Sequence, residues 1–273
     1  MDRYKDKLAA TFRQVGARKM LSKVPEIILY FWIIKILCTT VGETGADYLN
    51  TSLNFGLTNT TYVVGALLLA ILAVQFKLKR YVPIVYWLAV VLLSVFGTLI
   101  TDNLTDNFGI SLITTTTVFS VILAAIFFVW YKVEKSLSIH GIITVRRELF
   151  YWLTILFTFA LGTAAGDLVA EKLNLGYFIS ALVFGGIITV IAVAHLRFKL
   201  NAILAFWLAY ILTRPLGASL GDYLSQPADK GGLGLGTVIT SIIFLAAIVG
   251  TVIYLTATKR DEDSSDFASK LKD

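Results

Sequence analysis

Residues 32–47 read Trp-Ile-Ile-Lys-Ile-Leu-Cys-Thr-Thr-Val-Gly-Glu-Thr-Gly-Ala-Asp, an apolar run with Gly42 ten residues and Asp47 fifteen residues after Trp32. The same frame returns as Trp87, Gly97 and Asp102, as Trp152, Gly162 and Asp167, and as Trp207, Gly217 and Asp222. Three residue types held at fixed offsets in four places mark an internal repeat. The tryptophans are 55, 65 and 55 residues apart, so the two halves of the chain are offset by 120.

The surrounding composition decides the class. The chain is 57% apolar and 15% charged, with a mean hydropathy of +0.77. Soluble domains carry roughly 25% charged residues, so this is the composition of an integral membrane protein. Each repeat has one apolar run ending at its aspartate, a short polar loop, and a second apolar run ending in basic residues. The spacing predicts eight helices near 25–48, 57–77, 82–104, 111–131, 148–169, 176–195, 200–223 and 235–257. Each has the roughly 20 residues that a hydrocarbon core of about 30 Å requires. The expected organisation is a basic N-terminal segment (1–23), one membrane domain (24–258) and a charged tail (259–273). Within the domain the repeats cover about 24–79, 80–133, 146–198 and 199–258. No cleavable signal peptide is read in the basic segment.

Charge sets the expected orientation. The N-terminal segment, the loops at 77–80, 132–147 and 195–199, and the tail hold 20 of the 24 Lys and Arg residues. By the positive-inside rule these face the cytoplasm, together with both termini, and the aspartate ends face outward. The net charge of +6 follows from that bias and implies no nucleic-acid partner. An even number of helices per repeat makes the copies parallel, with a pseudo-twofold or pseudo-fourfold axis along the membrane normal. The four first helices are then central and the second helices peripheral.

The repeated acids are the candidate site. Asp47, Asp102, Asp167 and Asp222 each have a polar neighbour four residues away: Glu43, Asp106, Glu171 and Gln226. Acids in membrane spans are costly and mark ion or proton pathways. The bland alternative is a polar residue ending a helix at the interface, although a carboxylate there opposes the helix dipole. Expected cation or metal ligands are Glu43, Asp47, Asp102, Asp167 and Asp222, with Asp106 extending the pathway. Lys35 lies eight residues before Glu43 and Arg214 eight before Asp222. Both are read as charge-balancing residues in corresponding parts of their units. The glycines have two readings, close helix packing or a loosened helix with a freed carbonyl. The tryptophans are read as interfacial anchors that also pack, Pro215 as a kink in its helix, and most threonines as bonded to their own backbone.

Other chemistry is disfavoured. Two histidines and the single Cys38 make no soft-ligand cage and no intrachain disulfide. Carboxylates, hydroxyls and carbonyls favour hard cations or protons. No phosphate-binding loop or hydrolase motif is present, so neither an enzyme nor a resident cofactor is expected.

Lys23-Val24-Pro25-Glu26, Tyr30-Phe31-Trp32-Ile33-Ile34-Lys35 and the run from Thr39 to Asp47 resemble a family of uncharacterised bacterial multi-pass membrane proteins. These are built from four two-helix repeats, each with a tryptophan. The resemblance implies eight helices in the bacterial cytoplasmic membrane. The expectation is an all-α secondary transporter, an exporter of a hard metal cation with manganese first, coupled to protons through clustered carboxylates. A transporter of a small organic ion or polar solute, using Tyr48, Tyr177 or Tyr223, is the second reading. A scaffold or intramembrane enzyme is the third.

Overall fold

The computed structural model describes residues 22–52, 54–258 and 260. Among these it has eight long α-helices and no strand: α1 (Leu29–Asp47), α2 (Leu57–Lys77), α3 (Pro83–Asp102), α4 (Leu112–Glu134), α5 (Val145–Asp167), α6 (Gly176–Phe198), α7 (Ala202–Ser225) and α8 (Thr237–Thr258). All but α1 are long and apolar enough to cross a bilayer; α1 carries Lys35, Glu43 and Asp47. The protein is therefore an all-α, multi-pass membrane protein. Of the basic N-terminal segment, residues 1–21, and of the charged tail all but Arg260, lie outside the described residues.

The sequence rules for helix ends are visible. Pro83 opens α3, where its missing N–H costs nothing. Ser111, Thr144 and Asn201 cap α4, α5 and α7 with side-chain acceptors. Past Asp47, Asp102 and Asp167 the chain widens into a π turn, Tyr48–Ser52, Asn103–Asn107 and Leu168–Lys172. The fourth copy stays α-helical to Ser225, where Gln226 turns extended ahead of Pro227. Within α7 the helix runs through Pro215 without interruption.

The packing is cyclic. Helices α1, α3, α5 and α7 pack each on the next, and α7 closes on α1. Each second helix covers the first helix of the following repeat: α2 lies on α3, α4 on α5, α6 on α7 and α8 on α1. A two-helix repeat therefore buries almost nothing by itself, and the fold closes only when the fourth copy meets the first. The burial agrees. More than half of α3, α5 and α7 is buried, against 17–28% of the outer helices. The outer helices show Leu67, Leu69, Val121, Phe128, Val190 and Ile253 to their surroundings, as lipid contact requires.

The glycines serve close packing. A Cβ on Gly42, Gly97, Gly162 or Gly217 would lie 2.6, 2.8, 2.5 and 2.7 Å from the Cβ of Ser94, Phe159, Arg214 and Thr39, respectively. In every case the neighbour is the residue seven after the tryptophan of the next repeat. The loosened-helix reading fails, because all four glycines lie in continuous α-helix and widening occurs only past the acid.

At the basic end, residues 22–24 are tied into the core rather than free. Lys23 N–H donates to Ile142 O and Tyr81 N–H to Ser22 O. The Lys23 ammonium meets Glu148 at 2.6 Å and the Phe76 carbonyl at 3.1 Å, with both charged side chains nearly fully buried. Gln75 Nε2 donates to the other Glu148 oxygen at 3.2 Å. Glu148 lies in the first turn of α5, where the helix dipole also favours a carboxylate.

Candidate functional site

Reading each inner helix in steps of four from the residue before its tryptophan produces five layers, spread over about 24 Å at 1.5 Å per residue. All side chains in the lower four layers are buried. Exposure begins in the fifth, where Asp222 is buried and Asp47, Asp102 and Asp167 are half-buried.

The lowest layer is aromatic. Phe31, Tyr86, Tyr151 and Phe206 each precede a tryptophan, and each ring contacts the tryptophan of the next repeat. The pairs are Phe31–Trp87, Tyr86–Trp152, Tyr151–Trp207 and Phe206–Trp32, at 5.7, 5.5, 6.3 and 5.6 Å. The Tyr86 and Tyr151 hydroxyls hydrogen-bond at 2.5 Å. These eight rings close the bundle at its basic end. The interfacial-anchor reading of the tryptophans is thus corrected: Trp87, Trp152 and Trp207 are 2–4% exposed, and their partners are aromatic. The signal available in the sequence is the aromatic residue before each of the four repeat tryptophans, Trp32, Trp87, Trp152 and Trp207.

The second layer is Lys35, Val90, Ile155 and Tyr210, and the third is Thr39, Ser94, Phe159 and Arg214. Lys35 and Arg214 are therefore one turn apart in the repeat, not in corresponding positions, and their surroundings differ. The Lys35 ammonium donates to Thr213 Oγ1 at 2.5 Å. It stands 3.9 Å from the centre of the Tyr210 ring and 5.0 Å from that of Phe159. No carboxylate among the described residues lies within ion-pair distance of it.

Arg214 is the hub. Its Nη2 donates to Glu43 at 2.8 Å, to Thr163 Oγ1 at 2.8 Å and to Thr98 Oγ1. Nη1 donates to the Thr39 carbonyl at 3.3 Å. Glu43, Thr98 and Thr163 occupy the same repeat position, eleven after the tryptophan, and the fourth member is Ala218. One nitrogen of the fourth repeat thus meets the equivalent residue of each of the other three, which fixes the guanidinium on the axis of the ring. The pairing of Arg214 with Asp222 that their spacing invited is not seen; Arg214 pairs with Glu43 across the α7–α1 interface. Thr98 and Thr163 also bond the carbonyls of Ser94 and Phe159. The threonines thus include structural back-bonders, as expected, two of which also hold the arginine.

The acid layer lies beyond. Asp102 feels Glu43, Asp167 and Asp47, and Asp222 feels Glu43, Asp47 and Asp167, so the repeat-related carboxylates do face a common space. Gln226 Nε2 donates to Asp47 at 3.3 Å, joining the fourth repeat to the first. Asp106 and Glu171 sit on the π turns, with Asp106 exposed. Tyr177 donates to Glu171 at 3.3 Å, and Tyr223 packs on Phe178 at 5.2 Å. Among the described residues no three His, Cys, Asp or Glu side chains come close enough to hold a metal ion. The acid layer is therefore partly exposed and forms no chelating cluster among the described residues.

Fold and column define a membrane protein made of four copies of one two-helix unit arranged around a polar axis. The chain belongs to the family described as Repeat of Unknown Function (DUF347), whose repeats match residues 30–81, 85–136, 150–201 and 205–261. No curated protein and no solved structure matches the chain.

Proposed function

We propose that this protein is a secondary transporter that exports a hard metal cation, with manganese the first candidate. In this reading all eight helices span the bacterial cytoplasmic membrane as four parallel repeats, with both termini and the basic loops in the cytoplasm. The observation that carries it is the buried Arg214, bonded to Glu43, Thr98 and Thr163 of the other three repeats one turn below the repeated aspartates.

The acid mouth concentrates cations without stripping them. Hard divalent ions such as Mg²⁺ and Mn²⁺ favour oxygen ligands, and Mg²⁺ keeps several waters. An acid layer with no chelating cluster among the described residues suits a hydrated ion. Glu43 is the pivot. It is held by Arg214 in the closed state, and it is the first carboxylate a cation meets below the ring. Cation and guanidinium compete for it, so entry of one frees the other. Arg214 is then a tethered stand-in for the cargo that keeps the closed site neutral, while the aromatic layer seals the far end. The acids serve transport here and no catalytic step is assigned to them.

Purified protein in liposomes, tested against Mn²⁺, Mg²⁺, Ca²⁺ and Zn²⁺, provides the experiment. Mn²⁺ flux above that of empty liposomes is expected, with Asp102→Asn and Asp167→Asn reducing it strongly at unchanged yield of folded protein. Flux no greater than in empty liposomes for every cation would overturn the reading.

A further inference from the structure

A groove of about 620 Å³ opens at the basic end of the bundle. Trp32 and Ile36 of α1, Ile188 and Ile191 of α6, and Phe206 and Thr213 of α7 line it. Its rim is polar: Glu26, Ser138, His140 and His195, the last two being the only histidines of the chain. The deep end matters most. Thr213 is the residue whose hydroxyl accepts the hydrogen bond from Lys35, and that hydroxyl donates its own hydrogen bond to the Tyr210 carbonyl at 2.8 Å. A fully buried amine thus stands one hydroxyl away from a groove leading to the basic side.

The surroundings of Lys35 are unlike those of the other buried cations. Arg214 and Lys23 each have a carboxylate at hydrogen-bond distance. Lys35 has one hydroxyl and two ring faces, although an ammonium has three donors. The titratable or charged groups facing it are Cys38 on its own helix and Arg214 on α7, together with the Tyr210 ring. Phe159 of α5 brings no charge. With no carboxylate among the described residues to hold its proton, this amine can exchange it, and the groove ends one hydroxyl away.

We propose that Lys35 is the proton-exchanging residue of this transporter and that the groove ending at Thr213 is its route to the basic side of the membrane. The proposal rests on the transport reading above. The coupling runs through Glu43. When a cation takes Glu43, the Arg214 guanidinium loses its carboxylate, and its charge then acts on Lys35 without compensation. An Nζ–H bond of Lys35 breaks, the electron pair stays on nitrogen, and the proton passes to a water in the groove at Thr213. When the cation leaves and Arg214 returns to Glu43, Lys35 takes a proton back by the same route. The groove is lined by Trp32 and Ile36 of α1, Ile188 and Ile191 of α6 and Phe206 of α7, so its wall includes two rings of the aromatic layer and no carboxylate of the acid layer.

Two measurements test it. Cys38 is the only cysteine, so Thr213→Cys is made in a Cys38→Ala background and exposed to a membrane-impermeant methanethiosulfonate from either side of sealed vesicles. Labelling from the basic-loop side alone is expected. Labelling from the acidic side, or none in folded protein, overturns the route; Ile36→Cys repeats the test if the first variant does not fold. Separately, Mn²⁺ flux is followed together with the pH inside liposomes. Wild-type protein moves protons against Mn²⁺, while Lys35→Met and Lys35→Arg pass Mn²⁺ without the proton movement. Wild-type proton movement in either variant overturns the role of Lys35. Absence of Mn²⁺ flux in wild-type protein would refute transport itself, and the labelling result would still decide whether the groove reaches Thr213.

Discussion

Replacing Arg214 by Gln should be one of the most damaging single changes in this chain, and the damage should be reversible by a second change. Arg214 is fully buried, and the Glu43 side chain is 8% exposed. The variant leaves the carboxylate in a dry site with no countercharge, and strips Thr98 and Thr163 of their shared donor. Breaking a buried pair from one side costs about 3–5 kcal/mol. Glu43→Gln alone leaves the guanidinium uncompensated and falls in the same range. The double variant Glu43→Gln/Arg214→Gln removes both charges and keeps two amides able to hydrogen-bond, so about 1–3 kcal/mol of the summed loss should return as coupling. Unfolding in detergent micelles, followed by the fluorescence of the mostly buried tryptophans, measures all four corners of the cycle. Arg214→Gln/Asp222→Asn is the control and should recover less, since Asp222 sits among Glu43, Asp47, Asp167 and Glu171 rather than on the guanidinium. Additive losses in the Glu43/Arg214 cycle would refute the axial ion pair.

Gly97→Ala should destabilise the same preparation by about 1–3 kcal/mol through overpacking, because its Cβ would meet Phe159 Cβ and the Ala160 backbone. Gly186→Ala, with nothing within 4 Å, should be neutral or stabilising, by up to about 1 kcal/mol; equal losses at the two sites would remove close packing as the role of the repeat glycine. Glu148→Gln should cost about 3–5 kcal/mol by stranding the Lys23 ammonium. Glu134→Gln, whose close partner Arg146 is 66% exposed and whose second partner Arg147 lies at 3.7 Å, should cost less, about 1 kcal/mol, and thermal melts of the two variants decide it. Tyr86→Phe leaves the buried Tyr151 hydroxyl without its partner, a loss of about 1–3 kcal/mol; adding Tyr151→Phe should restore part of it, and a further loss in the double variant would argue against the hydroxyl pair.

Much of the architecture could be read from the chain because its signals were long and repeated. Apolar runs of about 20 residues separated by turn residues leave little room for another fold. An offset shared by four copies also survives errors of a few residues at each helix end. Side-chain fate was harder. A tryptophan near the basic end of a span can sit at the headgroups or in the core with equal physical sense, and only the preceding Phe31, Tyr86, Tyr151 and Phe206 distinguish the two. Arg214 is associated with Asp222 by their spacing along one helix. Its partner lies one repeat onward around the ring, at the position held elsewhere by Thr98 and Thr163, and that register appears only when the copies are aligned residue by residue. Charge alone groups Lys35 with Arg214, while the repeat frame separates them by a turn and only packing reveals that Lys35 meets no carboxylate among the described residues.

Joining four copies in one chain has a consequence that an assembly of identical subunits cannot match. Any residue on the axis of a homotetramer occurs four times. Four arginines at the third layer would repel one another, and four glutamates at the next would need four countercharges. Here the third layer holds Thr39, Ser94, Phe159 and Arg214, and the fourth holds Glu43, Thr98, Thr163 and Ala218. One cation meets one carboxylate on the axis. Two hydroxyls take up further hydrogen bonds from the same nitrogen, and Ala218 follows Arg214 by one turn on its own helix. The glycine contacts and the aromatic layer keep the fourfold pattern because they carry packing, which is the same at every interface. The third and fourth layers give up that symmetry, and there one charge is balanced once for the whole ring. The aspartates return to fourfold identity at the mouth, where the layer begins to open and like charges are tolerated.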